Sequence, residues 1–319
     1  MFIQTLQNFP KQFEWEPKIE NSDQLVKADN FVVCGMGGSH LAAGLAKIAL
    51  PGLSLITHSD YGFPVLPKPG LGIISSHSGN TEEALDSFRT AKQQNIPLAV
   101  ITSGGKLLEL AQQNNIPYIQ IPDSNIQPRF ALGYSLIALL KFTGQAESLL
   151  EVSRLSNLLD ASIAEHQGRE LAQKLENKIP VIYGSTPNTA LAYTWKIKFN
   201  ETIKIPAFYN VLPELNHNEM NGFDTQEKTS SLMNKFHFLF LQDQADHPKI
   251  LQRMNALKTI FERQGFGVEV LPLMGESVFH KIFNSLIIAD WASLYLSQFY
   301  GTDPDKVPMI EEFKKMMAE

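Results

Sequence analysis

The sequence predicts an α/β fold in which two domains in tandem each contain a mainly parallel sheet flanked by helices. Short β-branched segments alternate with helix-length amphipathic segments in the first half of the chain, which is typical of βαβ units. The alternation stops in the middle of the chain and starts again in the second half. A length of 319 residues also suits two domains, because single domains usually contain about 100–200 residues.

The strands predicted for the first domain are short apolar segments bounded by polar or turn-forming residues. They are FVVCG at 31–35, LSLIT at 53–57, LGIIS at 71–75, LAVIT at 98–102 and YIQI at 118–121. An apolar helix is predicted at 129–142 and a long helical segment at 149–175. We place the domain boundary between these helices, near Gly144, so the predicted domains are 1–144 and 145–319.

The second domain begins a new series of strands and contains a possible internal repeat. Its predicted strands are PVIYG at 180–184, FHFLFLQ at 236–242 and FGVEVL at 266–271. Segments 32–48 and 181–197 each contain a strand, a glycine, a small-polar loop and an Ala-rich helix, with Gly35 and Gly184 at matching places. The repeat favours a duplicated unit, although strand–turn–helix segments also resemble one another by chance.

Composition and charge exclude several classes of function. The net charge of −6, without a Lys/Arg cluster, argues against a nucleic-acid-binding surface. Cys34 is the single cysteine, which rules out an internal disulfide and a cysteine-based zinc cluster. No uninterrupted apolar run reaches the roughly 18 residues that a membrane or signal helix needs, so we expect a cytoplasmic protein without a membrane partner.

The first candidate binding loop is CGMGGSH, between a predicted strand and a predicted helix. Gly37, Gly38 and Ser39 could present backbone N–H groups to an anion at the positive end of the helix dipole. The loop lacks the dinucleotide fingerprint G-x-G-x-x-G, because His40 stands in the place of the last glycine. It also lacks the lysine of the nucleotide-binding P-loop, so an anion other than a nucleotide is favoured.

The second candidate loop is SHSGNT, which follows the next buried strand. Ser76, Ser78 and Thr81 present hydroxyl groups there, and the helix predicted to begin near Thr81 adds backbone N–H groups. This combination suits a phosphate monoester. The alternative is a purely structural helix start, in which Asn80 and Glu83 form a capping box.

These segments resemble a known family. GMGGS at 35–39 and SHSGNTEE at 76–83 are similar to the sugar isomerase domain, whose Ser/Thr-rich loop holds the phosphate of a phosphosugar. FNETIKIPAFYNVLPELNHNEMNGF at 199–223 resembles the signature of the bifunctional phosphoglucose/phosphomannose isomerases, which have two sugar isomerase domains. The resemblance extends over nearly the whole chain. It implies interconversion of glucose 6-phosphate, and also mannose 6-phosphate, with fructose 6-phosphate through a cis-enediol, without a metal or organic cofactor.

Such a reaction needs a base that moves a proton between two carbons and a second group that opens the sugar ring. Glu201, at the end of an Ala-rich helical pattern, is the candidate base, and the resemblance gives the matching glutamate this role. His217 is the candidate for ring opening, because imidazole changes charge near neutral pH. The flanking amides of Asn216 and Asn218 could fix its tautomer. A metal site at HNE is disfavoured, because H-x-E lacks the helical i, i+4 pair of histidine ligands.

The resemblance also implies roles for Arg129 and Lys314 and for a second subunit. Arg129, which opens the predicted apolar helix, would stabilise the enediolate, since a guanidinium can donate two parallel hydrogen bonds to an oxyanion. A surface salt bridge is the alternative role. Lys314, in the predicted C-terminal helix, would reach the sugar, but Lys315 is a rival about 100° away around the helix. His217 would come from the neighbouring subunit of a homodimer.

Two other functions stay open at this point. The chain could be a non-catalytic phosphosugar-binding regulatory protein, which would need neither Glu201 nor His217. It could also be an isomerase of another phosphosugar. His77 stands where we expect an aromatic residue between the two serines, so phosphate affinity and its pH dependence are open. No residue can be assigned to the tolerance of both C2 epimers.

Overall fold

The computed structural model describes residues 2–122 and 126–317, which divide into two compact units. The N-terminal unit is Gln7–Leu159, and the C-terminal unit begins at Asp160 and includes the described residues before Gln7. The division falls after Leu159, whereas the sequence-based domain boundary lies near Gly144. The helices that follow Gly144 account for this difference, because they pack against the preceding apolar helix and against the turn Phe9–Glu14.

The N-terminal unit contains a parallel sheet. Its described strands, β1 to β5, are Asn30–Cys34, Ser54–His58, Gly70–Ser75, Leu98–Thr102 and Tyr118–Gln120. They lie in the order β2-β1-β3-β4-β5, and Val32 of β1 is in register with Ile56 of β2 and Gly72 of β3. β1, β3 and β4 are almost completely buried, as expected for parallel strands covered on both faces. All five predicted strands are confirmed.

The described helices of this part of the chain connect and cover the strands. They are α1 (Phe2–Gln7), α2 (Gly38–Ala49), α3 (Glu82–Gln93), α4 (Gly105–Gln113), α5 (Leu132–Phe142), α6 (Ala146–Ser153) and α7 (Leu155–Leu158). The single helical segment predicted at 149–175 is wrong, because the chain turns after α7. There the side chain of Asp160 accepts hydrogen bonds from the N–H groups of Ser162 and Ile163 and so caps a new helix.

The C-terminal unit contains a second parallel sheet. Its described strands are β6 (Ile179–Ser185), β7 (Phe208–Leu212), β8 (Phe236–Gln242) and β9 (Gly267–Pro272), in the order β7-β6-β8-β9. The three strands predicted here are confirmed. β7 was not predicted, because this edge strand exposes Phe208 and Tyr209 and shows neither a buried run nor a clear alternation.

The described helices of the C-terminal unit surround this sheet. They are α8 (Ala161–Leu175), α9 (Thr189–Lys198), α10 (Ser230–Met233), α11 (Pro248–Arg263), α12 (Val278–Tyr300) and α13 (Pro308–Met317). α12 packs closely on α8 at Gly168, where an added Cβ would lie 2.4 Å from the Cβ of Trp291. Within the described part of the chain, no helix is long and apolar enough to cross a membrane.

The two sheets share one topological feature. In each sheet the first strand along the chain, β1 or β6, lies inside the sheet, with the second strand on one side and the third on the other. The chain therefore reverses direction across the sheet between β1 and β3, and again between β6 and β8. In open α/β sheets, ligands bind outside the carboxyl ends of the strands at such a switch point.

Candidate active site

Two loops meet at the carboxyl ends of β1 and β3. The glycine loop, residues 35–39, follows β1, and the serine loop, residues 76–81, follows β3. The backbone N–H of His77 donates to Ser39 Oγ over 2.9 Å, and Ser75 Oγ donates to the carbonyl of Ser39 over 2.8 Å. The loops predicted to bind an anion are thus held together at the switch point of the sheet.

Within the serine loop, the hydroxyl groups are used in two ways. Ser76 is buried, and its Oγ accepts a hydrogen bond from the N–H of Gly79 and lies 2.9 Å from Thr81 Oγ1. Ser76 and Thr81 therefore brace the loop from inside, while Ser78 is exposed to solvent. Their assignment as phosphate ligands stays a prediction.

The alternative of a capping box is wrong. Thr81, rather than Asn80, is the N-cap residue of α3, and no side-chain hydrogen bond caps that helix. Asn80 Oδ1 instead accepts a hydrogen bond from the N–H of Lys106. The polar side chains of this junction shape the loop without occupying the N–H groups at the start of α3, which suits a helix start that receives an anion.

A third loop supports the serine loop and was missed in the sequence. It follows β4 and contains Ser103, whose hydroxyl donates to the carbonyl of His77 over 2.6 Å. A Cβ on Gly79 would lie 1.8 Å from the carbonyl oxygen of Gly104, and a Cβ on Gly105 would lie 2.3 Å from that of Ser78. Only glycines permit this approach. The signal was the pair Gly104 and Gly105, one residue after the predicted strand at 98–102.

Arg129 lies beside the glycine loop in the same unit. It belongs to the 3-10 turn Pro128–Phe130, so the predicted apolar helix begins only at Leu132. A Cβ on Gly38 would lie 2.9 Å from the carbonyl carbon of Pro128, which shows how closely the turn approaches the start of α2. Arg129 is only 2% exposed, and its guanidinium lies over the ring of Phe130 at 4.8 Å. A surface salt bridge is therefore the wrong description of this arginine.

Glu201 lies in the C-terminal unit on a π-helical turn, Phe199–Ile203, that continues α9. Such turns are rare and are often found at functional sites. The preceding Lys198 is fully buried and forms an ion pair with Asp290 of α12, Nζ to Oδ1 2.5 Å. Glu201 itself is half-buried, and it lies near Tyr193, whose pKa is raised by burial, then by Tyr209, and then by the charge of Glu201.

His217 lies at the end of another short turn of the C-terminal unit, Glu214–His217, with its side chain exposed. The expectation that neighbouring amides fix its tautomer is wrong, because both amides bind elsewhere. Asn216 accepts a hydrogen bond from Arg253, and Asn218 donates one to Glu214. Across residues 2–122 and 126–317, no three His, Cys, Asp or Glu side chains group in a way that could hold a metal ion.

Comparison with known proteins assigns the family. Residues 164–317 match the model of the bacterial phospho-glucose isomerase C-terminal SIS domain. The chain is 35% identical to the bifunctional phosphoglucose/phosphomannose isomerase of Aquifex aeolicus, over 98% of this chain and 97% of that protein. The chain belongs to the bifunctional phosphoglucose/phosphomannose isomerase family. Its relative from Caldicellulosiruptor bescii is 34% identical over 99% of each protein.

A solved structure supports the fold of this family member. Glucosamine-6-phosphate deaminase of Thermotoga maritima superposes with a TM-score of 0.70 and covers 96% of each chain at 16% identity. At this identity the similarity concerns the fold alone. The α/β architecture with parallel sheets flanked by helices is confirmed.

The candidate residues of this isomerase-family chain fall into two groups. One group lies together at the strand ends of the N-terminal unit: Gly37, Gly38, Ser39, Ser76, Ser78, Thr81 and Arg129. The other group, Glu201, His217 and Lys314, belongs to the C-terminal unit. The phosphate-binding candidates and the proton-transfer candidates are thus carried by different units.

Lys314 lies on α13, whose described residues are all exposed. The apolar face of this helix consists of Met309, Ile310, Phe313, Met316 and Met317. At about 100° per residue, Lys314 borders the apolar face and Lys315 points away from it. This geometry favours Lys314 if the apolar face packs over a site, and its contact with the sugar stays a prediction.

Proposed function

We propose that the protein interconverts glucose 6-phosphate and mannose 6-phosphate with fructose 6-phosphate through a cis-enediol. Membership of the bifunctional family supports the choice of substrates. The observation that carries the proposal in the structure is the junction of the glycine and serine loops at the β1/β3 switch point, joined through Ser39 and His77. This junction offers neutral donors to an anion and has the buried cation Arg129 beside it.

The phosphate of the sugar binds at these two loops. Gly37 and Gly38 open α2 and Thr81 opens α3, so the positive ends of two helix dipoles are available. Gly37 has a φ of +51°, which glycine adopts without strain and which leaves its backbone exposed. Ser39 and Ser78 add hydroxyl donors, and Ser76 and Thr81 maintain the loop that presents them. Backbone and hydroxyl donors hold a phosphate without a cofactor.

The chemistry consists of proton transfers. His217 takes the proton of the ring hydroxyl and returns one to the ring oxygen, which opens the sugar. Glu201 then moves a proton between C2 and C1 on one face of the enediol. Arg129 stabilises the negative charge that develops on the enediolate oxygen, since a guanidinium stays protonated at any working pH. Lys314 contacts the sugar. No step requires a metal ion or an organic cofactor.

The site is completed by a second copy of the chain. His217 is exposed at the end of its turn, which is a suitable position for a residue that acts in a neighbouring site. The proposed assembly is a homodimer of two-domain chains with shared sites, in which each chain contains two sugar isomerase domains. The common strand order of the two sheets supports this domain assignment.

Subunit mixing tests the shared site. Glu201→Gln and His217→Ala chains, each with strongly reduced activity alone, should form heterodimers with some wild-type-like sites and so recover activity. If the chains exchange and no activity returns, both residues belong to the site of one chain or one residue is misassigned.

The activity is tested with an assay that detects fructose 6-phosphate. The expected result is product from glucose 6-phosphate and from mannose 6-phosphate, unchanged by EDTA. Activity that is lost with EDTA and restored by zinc would contradict the mechanism. Binding of both sugars without turnover would instead identify a regulatory phosphosugar-binding protein.

A further inference from the structure

Glu219 has no role in the steps above, yet both of its carboxylate oxygens are bound. The hydroxyl of Tyr183, on β6, donates to Oε1 over 2.6 Å, and the amide of Asn210, on β7, donates to Oε2 over 2.6 Å. Tyr183 is fully buried. Glu219 thus connects a surface turn with two neighbouring strands of the sheet.

The carboxylate of Glu219 accepts a hydrogen bond from the buried hydroxyl of Tyr183 at any working pH. Burial, and then the hydrogen bond to Glu219, raise the pKa of Tyr183 far above its usual range, so its hydroxyl stays a donor at any working pH. Removal of the acceptor would leave this hydroxyl buried without its bond, which is more costly than the bond itself is worth.

Glu219 lies close to His217 in the chain, so the bonds of Glu219 hold the segment next to the imidazole. Glu219 is two residues beyond His217, and its N–H donates to the side chain of Asn218 over 2.5 Å. It also begins the 3-10 turn Glu219–Phe223, whose Phe223 packs edge-on against Phe238 of β8 with ring centroids 4.9 Å apart. The exposed imidazole of His217 therefore lies directly before a segment held by a carboxylate and an aromatic ring.

We propose that Glu219 is the positioning residue for His217, and that its bonds to Tyr183 and Asn210 fix the turn that presents the imidazole. The proposal rests on the proposed role of His217 in ring opening. It also explains the HNE motif, in which the glutamate holds the turn in place and does not ligate a metal.

The variants are chosen by how many carboxylate oxygens of each glutamate accept a hydrogen bond. Glutamine has one acceptor oxygen, so Glu219→Gln leaves one of the two donors, Tyr183 or Asn210, without its acceptor. Glu214 of the same region uses one oxygen, which accepts from Asn218, and Glu214→Gln keeps an acceptor. Glu214→Gln is therefore a matched control for the change of charge. Tyr183→Phe is a milder variant that keeps the ring and removes one donor.

The first readout is kinetic. Glu219→Gln should lower kcat for glucose 6-phosphate by about 10-fold to 100-fold, the usual effect of losing a group that orients a catalytic residue, with KM little changed. Glu214→Gln should leave kcat unchanged. In a His217→Ala background, Glu219→Gln should cause no further loss, because it acts only through the imidazole. The proposal would be overturned if Glu219→Gln lowered kcat in the His217→Ala background as much as in the wild type. It would also be overturned if Glu219→Gln alone left kcat unchanged.

The second readout is independent of the activity. Amide hydrogen exchange in residues 213–223 should be faster in Glu219→Gln and in Tyr183→Phe than in the wild type, and unchanged in Glu214→Gln. If His217→Ala keeps full activity, the proposed role of His217 fails, while the exchange data still report whether Glu219 fixes the turn. Equal exchange in all variants would overturn the structural part of the proposal.

Discussion

The switch points of the two sheets have the same topology and opposite chemistry. At the ends of β1 and β3 the side chains are hydroxyls, with glycines that expose backbone N–H groups. At the ends of β6 and β8, the loop that follows β8 carries two carboxylates, Asp243 and Asp246. Asp246 lies beside Ser185, the last residue of β6, and Asp243 forms an ion pair with Lys281, Oδ1 to Nζ 2.7 Å. A phosphate dianion needs donors and is repelled by carboxylates, so we expect it to bind at the first switch point only.

Both sheets have a crevice at the switch point, and the residues of the surrounding loops determine which ligand binds there. The matching glycines Gly35 and Gly184 also differ in the space around them. A Cβ on Gly35 would lie 2.5 Å from the carbonyl oxygen of Ser75, whereas the nearest atom to a Cβ on Gly184 is the Cβ of Ala192 at 3.5 Å. The strand end of the first sheet is thus packed too tightly for a methyl group at Gly35, whereas a methyl group at Gly184 would make ordinary van der Waals contacts.

The largest expected effect is the loss of kcat when Glu201, the proposed base in the C-terminal unit, is replaced. Glu201→Gln should lower kcat for both hexose phosphates by about 10²–10⁴-fold, the usual contribution of a general base, while substrate binding is kept. Steady-state kinetics and a binding assay check this. Kinetics equal to those of the wild type would remove Glu201 from the mechanism and leave the C-terminal unit without its proposed base.

The next largest effect is the difference in stability between alanine variants of the matching glycines. Gly35→Ala should destabilise the protein by about 1–3 kcal/mol, the usual cost of overpacking, and should raise KM because the glycine loop must move. Gly184→Ala should change the free energy of unfolding by less than about 1 kcal/mol, because its surroundings accept a methyl group. Urea unfolding measures both. Equal destabilisation by the two variants would contradict the difference between the strand ends.

The hydroxyls of the serine loop should contribute mainly to binding. Ser78→Ala should raise KM by about 10-fold, since a hydrogen bond to a charged group contributes roughly 1.5–3 kcal/mol. Thr81→Ala should also raise KM, because the loop loses the contact between Thr81 and Ser76, and both variants should reduce kcat less. Thr189→Ala is the matched control, because Thr189, like Thr81, is half-buried at the start of a helix, which is α9 of the other unit. Unchanged KM in both serine-loop variants would exclude this loop as the phosphate site.

The smallest effect concerns stability and pH. Burial raises the pKa of Asp246 above its ordinary value of 3.8, so the folded state favours the protonated carboxyl. The stability that this group contributes is present below pH 3.8 and is lost as pH rises through the raised pKa. Asp246→Asn should therefore reduce the loss of unfolding free energy above that pH, with little change in activity. Urea unfolding at several pH values checks this, and a steeper loss in the variant would contradict it.

Much of the fold could be predicted from the sequence, because buried parallel strands are continuous apolar segments. β8 is an example, with FHFLFLQ almost wholly buried. β7 could not be predicted, because an exposed edge strand has no such pattern. The break before α8 depends on the cap formed by Asp160, which the helical periodicity around it concealed.

The site was predictable where a motif marks a strand-to-helix loop, as for Ser39, Ser76 and Ser78. The support that the loop after β4 gives to Gly79 could not be predicted, since it depends on the approach of two backbones in space. The bonds of Glu219 to Tyr183 and Asn210 were equally inaccessible, because those residues lie 36 and 9 positions away in the chain.

The most direct measurement is a calorimetric titration of the Glu201→Gln variant with fructose 6-phosphate. The variant should bind one sugar phosphate per chain. Adding Ser78→Ala and Thr81→Ala together should weaken the affinity by at least about 10-fold, and adding Asp246→Ser should leave it unchanged. Two sugar phosphates bound per chain, or an affinity that depends on Asp246 and not on Ser78 and Thr81, would contradict the assignment of the phosphate site to the first switch point.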